Sequence, residues 1–314
     1  MNRDSLTYNL ITPARNEQAF IELTLQSVIE QTVRPRKWLI VSDGSRDRTD
    51  EIVSRYAAEH DWIELLRMPE RAERDFAGKA DCLNTGYAKL ERLEFDIIGS
   101  LDADISFAKD YFEFLLEKFA EDPQLGIAGT PFSEGGATYD YRFSSTDHVS
   151  GACQLFRREC FETIGGYLPV KDGGIDVIAV LMARIKGWRT RTFTEKTCEH
   201  HRLMGSAKHK DRVVACFKLG EKDYKLGFHP LWEIFRSIYQ MTKRPYLTGG
   251  CAVFLGYFSA TLRGVRRPIT AEIMRFQRRD QIRRLLRFFT GGTRRDSKRT
   301  PTTVEIGNSR TAQL

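Results

Sequence analysis

Two aspartates separated by one residue, Asp102 and Asp104, follow the apolar run Phe95-Asp96-Ile97-Ile98-Gly99-Ser100-Leu101. A tight turn at the end of a strand leaves both carboxylates near the rim of a sheet, where they can share one divalent cation. Carboxylate oxygens suit Mg2+ or Mn2+. A cation held there can neutralise the charge that develops when a diphosphate leaves, which is Lewis-acid assistance. Two carboxylates in a surface turn are also commonly just solvated, so the elements around them decide the weight they carry.

Those elements alternate. Tyr8 to Ile11 is a short apolar strand, and Gln18 to Gln31 carries apolar residues at helical spacing. Trp38 to Val41 is a second strand, Thr49 to Ala58 a helix, and Ile63 to Leu66 a third strand. Short connections between such units predict an α/β fold, with a mostly parallel, Rossmann-like central sheet flanked by helices. Ligands in this layout sit beyond the carboxyl ends of the strands. Three polar turns are then expected on one rim: Pro13-Ala14-Arg15-Asn16-Glu17, Asp43-Gly44-Ser45 and Asp102-Ala103-Asp104.

Four segments in this order resemble the family 2 glycosyltransferases over about residues 6–203. They are Thr12 to Glu17, Asp43-Gly44-Ser45 with Asp47 and Thr49, Gly78-Lys79-Ala80 with Asn84 and Gly86, and Asp102-Ala103-Asp104. The resemblance implies a GT-A type fold and inverting transfer of a sugar from a nucleotide diphosphate, with UDP the expected nucleotide. It places Thr12, Pro13, Ala14, Arg15, Glu17, Asp43, Lys79, Asp102 and Ala103 at the nucleotide sugar. It makes Asp104 a direct ligand of Mn2+ or Mg2+, beside Asp102, with His201 a third ligand. The alternative to that histidine is Arg202 and Lys208 cradling phosphate oxygens.

Inverting transfer also needs a base for the acceptor hydroxyl. In the family a Glu-Asp pair opening a helix supplies it, and here the pair is Ile175-Asp176, so Asp176 is assigned the role. Asp172 is the reserve, and a plain N-cap is the other use of an aspartate at that position. The Gln-x-x-Arg-Trp motif of processive synthases is missing, which implies single addition. A non-catalytic nucleotide-sugar-binding relative and a nucleotidyltransferase remain as alternatives.

The net charge of +7 is unevenly placed, because fourteen basic residues face four acidic ones between residues 263 and 310. Without an interleaved aromatic platform, this basicity does not predict nucleic-acid binding. Residues 245–262 are free of charge and bracketed by Lys243, Arg244, Arg263, Arg266 and Arg267. Together with the basic, apolar pattern of 273–289 they predict a helical, membrane-associating extension on an anionic lipid surface, and hence a carbohydrate or lipid-linked acceptor. The expected organisation is a catalytic domain at 1–230, with a donor half near 6–125 and an acceptor half near 126–230. A helical extension at 231–290 and a disordered tail at 291–314 follow. Six cysteines without CxxC spacing argue against a zinc or redox site. With no secretory signal at the start, a cytoplasmic protein, peripheral on the membrane's inner face, is expected.

Overall fold

The computed structural model describes residues 6–71, 75–134, 145–202 and 211–290. The expected tail disorder at 291–314 and the phosphate role of Lys208 lie outside the described residues.

The chain opens with β1 (Tyr8–Ala14), α1 (Ile21–Ile29), β2 (Lys37–Ser42), α2 (Thr49–Glu59), β3 (Ile63–Arg67), α3 (Phe76–Leu90) and β4 (Ile97–Leu101). The four strands are parallel in the order β3-β2-β1-β4. Their runs are apolar on both faces because both faces are covered. Leu10, Trp38, Ile40 and Ile97 pack with Leu25 of α1 and Val53 of α2. Ile11, Leu39, Val41 and Ile98 pack with Leu83 of α3 on the other side. The order reverses between β1 and β4, so a crevice opens at their carboxyl ends, where ligands of such sheets bind.

The second half contains β5 (Ile105–Phe107), α4 (Tyr111–Glu121), β6 (Leu125–Gly129), β7 (Phe132–Ser133), β8 (Cys153–Arg157), α5 (Arg158–Ile164), α6 (Ile175–Ile185), β9 (Arg189–Thr192) and β10 (Cys198–His200). It extends the sheet as β4-β8-β6-β9, with β8 antiparallel to both neighbours. The sheet is therefore mostly parallel, as expected. A small second sheet, β5-β10-β7, pairs His200 with Ile105. That pairing returns residues 200–202 to the Asp102–Asp104 turn from far along the chain.

Four helices follow: α7 (Arg212–Lys225), α8 (Pro230–Met241), α9 (Thr248–Leu262) and α10 (Ala271–Phe289). Helix α7, which precedes the boundary expected at Leu231, packs most extensively on α9. The glycines that interrupt the uncharged stretch have a packing reason. A Cβ at Gly250 would fall 2.3 Å from the Ser237 carbonyl oxygen of α8, and one at Gly256 2.0 Å from that of Phe217 in α7. Among the described residues no helix is long and apolar enough to cross a membrane. Helix α10 does not lie free as a basic amphipathic segment: it buries Ile273, Gln277, Gln281 and Leu285. It also docks on α6 through Arg184, whose guanidinium donates to Asp280 at 3.0 Å.

Candidate active site

The three polar turns do meet on one rim. The Asp43 carboxylate, at the end of β2, lies 3.2 Å from Arg15 Nη1 and 3.2 Å from Arg71 Nε. Asn16 takes a positive φ of 56°, a conformation that asparagine tolerates better than most residues. Its side chain accepts from the Arg46 amide at 2.8 Å, which ties the first turn to the second. Glu17 is buried, and its amide donates to Thr49 Oγ1 at 2.7 Å.

Not every expected donor-site residue faces the crevice. Thr12 is 0% exposed and accepts from the Trp38 indole at 2.9 Å. Ala14 and Ala103 are buried as well. Strand alternation explains this for Thr12 and Ala14 of β1, whose side chains point into the core and shape the wall from behind. Pro13 and Arg15 remain partly exposed at the rim.

Asp102 is ion-paired with Lys79, which enters from the first turn of α3. That turn is fixed by Asp75, whose carboxylate accepts from the Gly78 amide at 2.9 Å. Burial opposes the charge on Lys79, but Asp102, then Asp176 and Asp104, overcome it and leave its pKa raised. Burial pushes the Asp102 carboxyl up against the pull of Lys79, and Asp104 adds to the rise. The turn thus concentrates negative charge that a cation relieves.

Arg202 Nε donates to Asp104 at 3.1 Å, and its other arm pairs with Glu17. His200 Nε2 lies 3.6 Å from Asp104 Oδ1, and its Nδ1 lies 3.4 Å from Glu134 Oε1. That last contact is electrostatic and not an aligned hydrogen bond, since Nδ1 is buried without a hydrogen-bond partner among the described residues.

Asp102, Asp104 and His200 each offer one ligand atom, all within 4.8 Å of one another. Two carboxylate oxygens and an imidazole nitrogen with room for further ligands fit Mn2+ well and Mg2+ less well, since Mg2+ prefers oxygen alone. Among the described residues the histidine that completes this group is His200 and not His201, the ligand expected from the sequence. The Nε2 of His201 is 2.9 Å from Ser106 Oγ and its ring stacks on Phe20, away from the two aspartates. Adjacent residues at the end of a strand point to opposite sides, and His200 shares its side with buried Cys198. Parity with Cys198 was the signal in the sequence that selects His200.

A cavity of about 670 Å3 runs from this rim into the molecule. Lys79, Asp102, His200 and Asp176 all line it. Asp176 sits in the first turn of α6 after Gly174, which adopts φ 85°. Its Oδ2 accepts from the Gly151 amide at 3.2 Å, so the carboxylate is held and not merely capping its own helix. His148, also on the wall, is kept below its ordinary pKa by burial; Asp176 opposes this, and Arg284 and Lys222 add to it. The reserve candidate Asp172 is instead paired with Lys225 at 2.7 Å and does not line the cavity. The far wall comes from the C-terminal helices through Lys222, Phe228, Trp232, Phe235, Tyr239 and Arg284. Sequence reasoning missed this contribution. The segment Gln281-Ile282-Arg283-Arg284-Leu285 keeps the Gln and Arg of the Gln-x-x-Arg-Trp pattern with Leu in place of Trp, which was the available hint.

Comparison with known proteins agrees with this architecture. The sequence model of Glycosyl transferase family 2 matches residues 9–171. A poly-beta-1,6-N-acetyl-D-glucosamine synthase of Staphylococcus aureus (strain COL) is 24% identical over 263 residues, covering 81% of this chain and 57% of its own length. The synthase of that name from Staphylococcus epidermidis is 30% identical over 121 residues, covering 37% of this chain and 26% of its own. The chain thus spans little more than half the length of the curated relatives it matches. In shape it is similar to a mannosyltransferase from Pyrobaculum calidifontis in complex with GDP-Man and Mn2+, with a TM-score of 0.55, 19% identity and coverage of 82% and 75% of the two chains. It is also similar to S. aureus TarS 1-349 in complex with UDP-GlcNAc, with a TM-score of 0.53, 11% identity and coverage of 90% and 81%. Both likenesses show the GT-A type fold.

Proposed function

The chain belongs to glycosyl transferase family 2, and from that premise we propose that it moves a sugar from a nucleotide-diphosphate sugar to an acceptor hydroxyl with inversion. The observation that carries this reading is the single cavity that Lys79, Asp102, His200 and Asp176 all line. Diphosphate and base can then flank one anomeric carbon. Asp102, Asp104 and His200 would hold Mn2+ or Mg2+, which supplies charge neutralisation to the leaving diphosphate. Lys79 and Arg202 hold positive charge beside the same group. Asp176, fixed by the Gly151 amide, takes the acceptor proton. Arg15 and Asp43, ion-paired at the rim, would face the nucleotide, supported from behind by Thr12 and Ala14.

We take a UDP-sugar as donor, with UDP-GlcNAc the first to test, since a GlcNAc-polymer synthase and a UDP-GlcNAc complex stand among the similar proteins. The loss of the motif tryptophan favours single addition. Release of nucleoside diphosphate from a panel of nucleotide sugars with Mn2+ tests the proposal: Asp176→Asn should keep nucleotide affinity and lose transfer. Transfer undiminished in that variant would remove Asp176 as the base.

A membrane role has its own support. Leu231, Ile238, Tyr246, Leu247, Leu255 and Leu262 are all more than half exposed on α8, α9 and the turn between them. Lys243, Arg244 and Arg263 flank them. Apolar side chains rimmed by cations suit helices lying at an anionic lipid interface. Six free cysteines are consistent with the reducing, cytoplasmic face. Flotation with anionic vesicles should recover the full chain and fail once Leu255 and Leu262 are changed to Ser; equal recovery would refute the surface.

A further inference from the structure

The half of the cavity beyond Asp176 has a character that the transfer reaction alone does not require. Lys222, Arg184, Arg236 and Arg284 line it, with Asp147, Asp223 and Asp280 as their acidic counterparts. The pairing is uneven. Arg236 is tied to Asp223, while Arg184 and Arg284 share Asp280 at 3.0 and 2.5 Å. Asp147 stands 3.7 Å from Arg184 and is half exposed, so its compensation is weak. Lys222 has no ion-pair partner among the described residues, although it lies in the last turn of α7 on the cavity wall. This end of the cavity therefore carries an excess of positive charge in a partly desolvated place, close enough to His148 and Asp176 for their charges to be felt together.

The remaining wall is aromatic. Trp232, Phe235 and Tyr239 present one side of α8 to the cavity. Phe235 continues outward, with its ring 5.2 Å from that of Phe288 and 6.3 Å from that of Phe289. Those two residues are 56% and 73% exposed at the end of α10. An unbroken aromatic path thus leads from the cationic end to the surface.

Resting on the proposed glycosyl transfer, we propose that the acceptor is a saccharide bearing a phosphate group, bound by Lys222 and Arg284 with its sugar against Trp232 and Phe235. The phosphate replaces the missing counter-charge of Lys222 and uses the guanidinium donors that Arg284 does not spend on Asp280. A neutral sugar in the same place would leave Lys222 without a counter-charge, since Asp280 already pairs with Arg284. The phosphate can belong to a free sugar phosphate or to a lipid-carried one, whose chain would leave along Phe235, Phe288 and Phe289.

The test is equilibrium binding to the full chain already saturated with UDP and Mn2+, or GDP and Mn2+, so that the donor's own phosphate site is filled. The probes are methyl N-acetylglucosaminide, N-acetylglucosamine 1-phosphate and the octyl phosphodiester of that sugar. The charged probes should bind at least about tenfold tighter than the neutral one, the loss expected for one charge-assisted hydrogen bond. Lys222→Met should erase the preference and Lys222→Arg restore it, with nucleotide affinity unchanged in both. A tighter diester marks a lipid-carried acceptor, and a tighter monoester a free sugar phosphate. Equal affinity of charged and neutral probes, or a preference that survives Lys222→Met, overturns the inference while leaving glycosyl transfer standing. Failure of both nucleotides to bind overturns the proposed function and this inference with it.

Discussion

Gly151→Ala tests the placement of the base without touching its chemistry. Gly151 lies outside the left-handed region, so alanine strains no backbone there. Its new Cβ would meet Asp176 Cβ at 3.0 Å and Cγ and Oδ2 at 3.3 Å. Ordinary contact begins near 3.4 Å, so the carboxylate must retreat by a few tenths of an ångström, and its 3.2 Å hydrogen bond from the Gly151 amide lengthens. A displacement of about 1 Å costs roughly 100-fold in rate, so this retreat should slow transfer roughly threefold to tenfold. Nucleotide contacts are spared, because Lys79 approaches only the Gly151 carbonyl, at 3.4 Å. Initial rates of transfer alongside calorimetric nucleotide affinity give the answer. An unchanged rate, or a parallel fall in nucleotide affinity, would refute the assignment of Gly151 and Asp176 as a positioned pair.

Three further outcomes are expected. His200→Ala should weaken Mn2+ binding by at least about tenfold, the usual lower bound for disturbing a ligand's support, whereas His201→Ala should leave it unchanged; paramagnetic titration of Mn2+ distinguishes the neighbours. Glu233 is fully buried with both carboxylate oxygens lacking hydrogen-bond partners among the described residues, and burial pushes its pKa up to about 8. The unfolded group titrates near about 4.3, so the folded state binds the extra proton and native stability should fall as pH rises from about 4.3 through 8. Glu233→Gln should remove that slope and stabilise the protein at pH 7, as urea melts across the range will show. Gly256→Ala, with its Cβ driven into the Phe217 carbonyl, should cost about 1–3 kcal/mol in the same melts, while a surface change such as Leu93→Ala should cost little.

The donor half was legible in the sequence because its elements are local. Strands β2 and β4 are each followed directly by a polar turn, so Asp43, Asp102 and Asp104 could be set on the rim from order alone, whereas Lys79 came only from the resemblance of Gly78-Lys79-Ala80. Thr12 and Ala14 misled because a motif position records the backbone's place at the rim and not which way the side chain points. His200 was passed over for His201 because the pairing of β10 with β5 joins residues 95 apart in sequence, and only strand parity with Cys198 signalled it. The C-terminal unit was least legible. Its uncharged stretch read as a lipid-facing segment, yet Gly256 serves the α7–α9 contact and Gly250 the contact with α8, and the basic face of α10 is partly spent on Asp280 and the cavity. Charge and hydropathy report what a segment can contact, not which contact it makes.

The most direct measurement is anomalous diffraction at the manganese edge from crystals soaked with donor nucleotide and Mn2+. A peak within coordination distance of Asp102, Asp104 and His200, with Asp176 facing it across the cavity, is the result this account predicts. A peak elsewhere, or donor bound with its diphosphate remote from that turn, would contradict it.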